Sequence, residues 1–207
     1  MRLRSICRTI ILTGIAMSGA VAPASAHHLM GGKIPSTIAE GLLSGLGHPV
    51  IGADHLAFLV ALGVIVGVSR LNLMTPAVFV ATMAAGVFVH IAGVTLPAAE
   101  LLVALSVLLV GVLLARGTVS SAALWVGLFA AAGFVHGYAF GESIYGAEPS
   151  PLGAYLAGLV VVQSALTIGI AFVTRRIKAA DMLPRLIGAA IVGVGLTVLI
   201  GQIVPAA

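Results

Sequence analysis

Six apolar stretches, each about as long as a bilayer is thick, follow one another with only short connections between them. They lie near 45–68, 73–93, 97–115, 119–140, 152–173 and 183–204. A helix needs roughly 20 consecutive apolar residues to cross the hydrocarbon core. Lipid offers the backbone no hydrogen-bond partners, and the stretches lack the alternation of barrel strands, so they are expected to be helices. Composition agrees: 60% of the 207 residues are hydrophobic and 8% charged, against roughly a quarter charged in soluble domains. The expected fold class is therefore an all-α integral membrane protein with six transmembrane helices. Twenty-six glycines suit close helix packing in lipid.

Residues 1–26 read as a separate unit. Arg2, Arg4 and Arg8 form a basic start, Thr9 to Val21 a short apolar core, and Ala24-Ser25-Ala26 a cleavage site, the pattern of a cleaved signal peptide. Residues 27–207 are then one six-helix transmembrane domain, beginning His27-His28. The single cysteine, Cys7, lies in the signal, so any metal held by the mature chain meets nitrogen and oxygen ligands. Such ligands favour borderline or harder divalent ions over Cu(I), although the methionines keep copper in play.

Charge sets the expected orientation. Export places His27 outside the cytoplasm, and alternation puts Arg70, Arg116, Arg175, Arg176, Lys178 and Arg185 inside, with Lys33 on the other face. This is the positive-inside pattern of a bacterial inner-membrane protein with both mature termini periplasmic. The basic residues form no patch, which argues against nucleic acid as a partner. The same alternation places His48, Asp54, His55, His90, Glu100, His136 and Glu142 in the outer half of the membrane, a one-sided polar vestibule.

The sharpest local motif is Gly47-His48-Pro49-Val50-Ile51-Gly52-Ala53-Asp54-His55. Ionisable residues at membrane depth face the bundle interior and mark functional sites. Seven residues turn a helix by about 700°, so His48 and His55 share a face, yet a straight helix separates them by about 10.5 Å. One ion cannot bridge that gap with ligand distances near 2 Å. Either Pro49, Gly47 and Gly52 break the helix, or the histidines are successive stations on a path. A second motif, Phe134-Val135-His136-Gly137-Tyr138-Ala139-Phe140-Gly141-Glu142, ends the fourth span. Trp125, Tyr138, Tyr145 and Tyr155 read as interfacial anchors. Ser106, Gln163, Ser164 and Thr167 are candidates to line a route through the inner half.

These residues resemble the HupE/UreJ family of bacterial nickel permeases, associated with hydrogenase and urease maturation. The family pattern HPxxGxDHxxFL is matched by His48, Pro49, Gly52, Asp54, His55, Phe58 and Leu59. The second pattern, FHGxAHGxE, is matched by His136, Gly137, Ala139 and Gly141, but Phe140 replaces its second histidine and the glutamate comes one position early, as Glu142. The resemblance implies a secondary permease importing Ni²⁺ from periplasm to cytoplasm, with Co²⁺ or another divalent metal as alternatives. His48 would serve the entrance, Asp54 and His55 the core, and His136 with Glu142 would face them. His90, Glu100, His27 and His28 are further candidate ligands. No tightly bound cofactor is expected, and no nucleotide-binding motif is present, so the chain is not itself an ATPase; as a permease it is not read as an enzyme. Expected partners are the metal ion and membrane lipid; a homo-oligomer and delivery to cytoplasmic metal chaperones stay open. Two competing readings are a non-transporting metal-binding accessory protein and an intramembrane metal-dependent hydrolase. The motif helices open two halves of three spans with opposite directions, which suggests a 3+3 inverted repeat.

Overall fold

The computed structural model of the chain describes residues 33–117, 121–178 and 181–204. Residues 1–26, expected to be a signal peptide, and His27 and His28 lie outside the described residues. Among the described residues the chain is all helix, with no strand: α1 Ile38–Ile51, α2 Ala53–Val68, α3 Pro76–Ile91, α4 Ala99–Ala115, α5 Ala122–Glu142, α6 Pro149–Thr174 and α7 Met182–Ile203. Of these, α5, α6 and α7 are long and apolar enough to cross a membrane. The pair α1 and α2 passes the same test together, but bends by 76° at its break. The shorter apolar helices α3 and α4 have 16 and 17 residues.

The first span departs from the continuous helix expected over 45–68. It starts earlier, at a capping box: Glu40 N–H donates to Thr37 Oγ1 at 3.2 Å, and Glu40 Oε2 accepts from Thr37 N–H at 3.2 Å. It also breaks. Pro49 removes a backbone donor, and Gly52 adopts an extended conformation, φ −68° and ψ 109°. Gly52 still donates to the His48 carbonyl at 3.1 Å, while its own carbonyl accepts from Leu56 at 2.9 Å and starts the next helix. The ladder is handed over across one residue, and the axis turns there.

Beyond the break, α2 becomes the centre of the molecule. Every residue from Ala57 to Val68 except Val60 is buried. The outer helices show the reverse, with Phe172, Val173, Leu186 and Ile200 all more than half exposed. An apolar face of this kind belongs against lipid.

Glycines set how the helices meet. A Cβ at Gly41 or Gly45 would strike the carbonyl oxygens of Pro151 and Tyr155, and one at Gly63 or Gly67 would crowd Thr167, Ile170, Ala171 and Thr174. These rising pairs make α1 and α2 run parallel to α6. In the same way Gly133 and Gly137 abut the carbonyl oxygens of Phe79 and Met83, so α3 and α5 are parallel. Gly111 meets Val192 while Gly188 meets Ala115, so α4 and α7 are antiparallel. Such backbone approach is open only to glycine and gives the dispersion contacts that hold helices together in lipid.

The two parallel interfaces share one register. Gly158 of α6 approaches Leu42, Gly45 and Leu46; Gly86 of α3 approaches Phe134, Gly137 and Tyr138. Relative to Gly45 and Gly137, these are the same positions. At the connections, Arg175 Nη2 donates to the Leu71 carbonyl at 2.9 Å and Arg185 Nε to the Ala115 carbonyl at 3.2 Å. The α3–α4 connection is tied to α5 by Tyr138, whose hydroxyl donates to the Val94 carbonyl at 2.9 Å and accepts from Leu96 N–H at 2.8 Å.

Candidate functional site

The break in the first span builds the site. With α1 and α2 at 76°, the His48 and His55 rings come to a centroid distance of 5.7 Å, where a straight helix would hold them about 10.5 Å apart. The first of the two alternatives left by the spacing, a broken helix, is the one the fold adopts. Asp54 sits in the first turn of α2, and its Oδ1 accepts from the His55 backbone N–H at 2.8 Å. A carboxylate there also meets the positive end of the helix dipole. A Cβ on Gly52 would lie 2.7 Å from His55 Cδ2, so the glycine makes room for the imidazole.

From the facing side α5 contributes His136, which is 1% exposed. Its Nδ1 lies 2.9 Å from His55 Nδ1, and its Nε2 lies 2.9 Å from Ser106 Oγ on α4. Phe58 packs on the His136 ring at 4.7 Å and Phe79 at 5.8 Å. His48, Asp54 and His55 are also at or below 5% exposed. Groups this polar are buried only where they are paired or used.

The hydrogen bonds assign the protons. Ser106 Oγ donates to the Val103 carbonyl at 2.7 Å, so it accepts from His136 Nε2–H. His136 Nδ1 then carries a lone pair and accepts from His55 Nδ1–H, which leaves the His55 lone pair on Nε2. His48 follows the same rule. The Tyr155 hydroxyl donates to the Phe140 carbonyl at 3.0 Å and accepts from His48 Nδ1–H at 3.2 Å. One ring nitrogen of each motif imidazole of the first span is thus held by a fixed neighbour, His136 for His55 and Tyr155 for His48. A neighbour that fixes one ring nitrogen so that the other can bind is how histidine ligands are set up.

Phe140 stands within this group, its ring 5.0 Å from His48 and 4.3 Å from His55. His48, His55 and His136 accordingly form a series, with the His55 and His136 rings 5.0 Å apart. Among the described residues, no three His, Cys, Asp or Glu side chains are grouped to hold one ion.

Glu142 does not face His136 as expected. Helix α5 runs unbroken to Glu142, and six residues turn a helix by about 600°, which puts the two on different faces. Glu142 instead lines an open cleft of about 440 Å³ with His90, Glu100, Tyr138 and Gln202. The His90 ring lies 4.6 Å from that of Tyr138. The structure therefore brings His48, Asp54, His55 and His136 together in the interior and gathers His90, Glu100 and Glu142 in a separate cleft.

Two expected anchors are corrected as well. Trp125 is 1% exposed and Tyr155 fully buried, so neither turns its ring outward as an anchor would. Tyr155 holds His48, a role that its spacing from Gln163 and Thr167 on one helix face could have indicated.

Three long apolar helices, a bent apolar pair and an apolar exterior around buried imidazoles define a helical membrane protein with a polar site inside its bundle. The family profile described as HupE / UreJ protein matches residues 15–198. Protein HupE of Rhizobium leguminosarum bv. viciae is 33% identical over 171 residues, covering 79% of this chain and 86% of that one. The chain belongs to the HupE/UreJ family. No solved structure matches it.

Proposed function

We propose that the protein is a secondary permease that imports a divalent transition metal ion, Ni²⁺ first among them, from periplasm to cytoplasm. The observation that carries this reading is the buried series of His48, His55 and His136, drawn from α1, α2 and α5, with His55 against His136 and His48 against Tyr155. Neutral imidazole suits nickel and its neighbours in the divalent series. Imidazoles that meet in succession, His48 against His55 and His55 against His136, suit an ion handed from one to the next. A hydrolase would need three ligands on one ion, which this grouping does not supply.

In this reading the bent pair, α3 and α4 join the three long helices as six crossings in the inner membrane, with the mature termini periplasmic. The basic connections face the cytoplasm, and Arg175 and Arg185 brace them. The matched glycine registers of α1 with α6 and α5 with α3 support an inverted 3+3 repeat, since exchanging the halves carries one interface onto the other. The His90–Glu100–Glu142 cleft then opens on the periplasmic side and gathers cations before they reach His48. Cleavage after Ala26 would add His27 and His28 at the same face.

The reading is tested by radioactive Ni²⁺ uptake in cells expressing the protein, with Co²⁺, Zn²⁺ and Cu²⁺ as competitors. Uptake well above that of His55→Ala cells is expected; equal uptake would remove the permease reading.

A further inference from the structure

One helix face leads inward from the imidazoles. Tyr155, Leu159, Gln163, Thr167 and Ala171 recur every four residues along α6, and each is fully buried. Residues at this spacing stack on one side of a helix. The outer end of the row is at the site, where Tyr155 binds His48. The inner end lies against α2, where Gly63 meets the Thr167 backbone and Gly67 meets Ala171. Gln163 falls between these contacts, about 12 Å along the axis from Tyr155. By the same register Gln163 is level with Leu59 on α2, one turn beyond His55.

Gln163 is the anomaly in the row. Both its Oε1 and its Nε2 are buried, and neither has a hydrogen-bond partner among the described residues. Thr167, one turn on, satisfies its own hydroxyl by donating to the Gln163 backbone carbonyl at 2.7 Å. A buried amide left unpaired is costly, and leucine of similar size would fill the same space at no such cost. Its retention calls for a use. The inner half of the bundle has almost no ionisable side chain, so a cation leaving His55 and His136 needs neutral oxygen there. An amide oxygen can replace part of an ion's shell without trapping it, which conduction requires.

Resting on the permease reading, we infer that Gln163 is an inner station on the metal's route, its side-chain oxygen receiving the divalent cation after the imidazoles. It is a transfer residue, weak for binding and necessary for passage.

The test uses the full chain in proteoliposomes, with three readouts: ⁶³Ni²⁺ entry rate, Ni²⁺ bound at equilibrium, and melting temperature. Gln163→Leu is expected to keep its melting temperature and its bound Ni²⁺ while entry slows about tenfold or more. A purely structural amide predicts the reverse: removing an unpaired polar group leaves entry at the wild-type rate, and that result overturns the inference. Gln163→Glu guards against misfolding of the leucine variant. A carboxylate at a true station holds the ion, so bound Ni²⁺ rises and entry slows; no change in either overturns the inference. Wild-type entry no faster than that of His55→Ala would instead remove the permease reading, and this station with it.

Discussion

The Nδ1 atoms of His55 and His136 lie 2.9 Å apart, across the interface between the broken first span and α5. One of the two must donate and the other accept, and Ser106 decides which by taking the Nε2 proton of His136. A serine hydroxyl on a third helix thereby sets the protonation pattern of both motif histidines.

Ser106→Ala should disturb that pattern with little change in packing. His136 loses its Nε2 acceptor, and the His55 Nδ1–H is no longer uniquely directed. Outer-shell changes of this kind cost about 10–100-fold in affinity or activity. Ni²⁺ uptake should fall by at least the lower figure, and the melting temperature should drop as well, because the buried His136 Nε2–H is left without an acceptor. Unchanged uptake would show that the serine does not set the tautomer.

Tyr155→Phe keeps the ring and removes only the hydroxyl. His48 Nδ1 and the Phe140 carbonyl both lose their partner in a fully buried setting. Leaving such groups unsatisfied costs about 1–3 kcal/mol, visible as a lower melting temperature in detergent. The half-saturating Ni²⁺ concentration should rise as well, because His48 is no longer fixed.

Gly52→Ala separates site geometry from backbone strain. Alanine accepts the φ of −68° found there, so the helix break should survive. The added methyl would stand 2.7 Å from His55 Cδ2 and must turn the ring away. Uptake is expected to fall to near the His55→Ala level with circular dichroism unchanged. Wild-type uptake would mean that the position of the ring is unimportant.

The glycine interfaces make opposite predictions at different positions. Gly45→Ala and Gly137→Ala place a methyl on the carbonyl oxygens of Tyr155 and Met83, and forcing apart packed backbones should cost about 1–3 kcal/mol or more. Gly127→Ala and Gly169→Ala meet nothing within 4 Å, and in a helix should be neutral or stabilising by up to about 1 kcal/mol. Melting temperatures of the four variants check the helix pairing directly.

What could be read from the sequence, and what could not, follows the range of each signal. Hydropathy is a local property, so the apolar helices are legible, and so is the break that Pro49 and Gly52 allow. The spacing of His48, Asp54 and His55 also states its own constraint, since it requires a bend or a path. The family motif carries His136 to the same site. Rotation of one helix against another is not local. It sends Glu142 into the cleft with His90 rather than to His136, and it turns Tyr155 inward to bind His48. Both outcomes rest on the backbone contacts of Gly45, Gly137 and Gly141, which hydropathy and motif spacing do not express.

The most direct measurement is ⁶³Ni²⁺ entry into proteoliposomes holding the wild-type chain, His55→Ala or His136→Ala, followed across external pH. Ligand nitrogens must be deprotonated to bind a metal. Wild-type entry should therefore be full at neutral and higher pH and fall as acid protonates the imidazoles. Both alanine variants should stay near the protein-free background at every pH. Entry through His55→Ala at the wild-type rate, with the wild-type pH profile, would contradict the assignment of transport to the buried imidazoles.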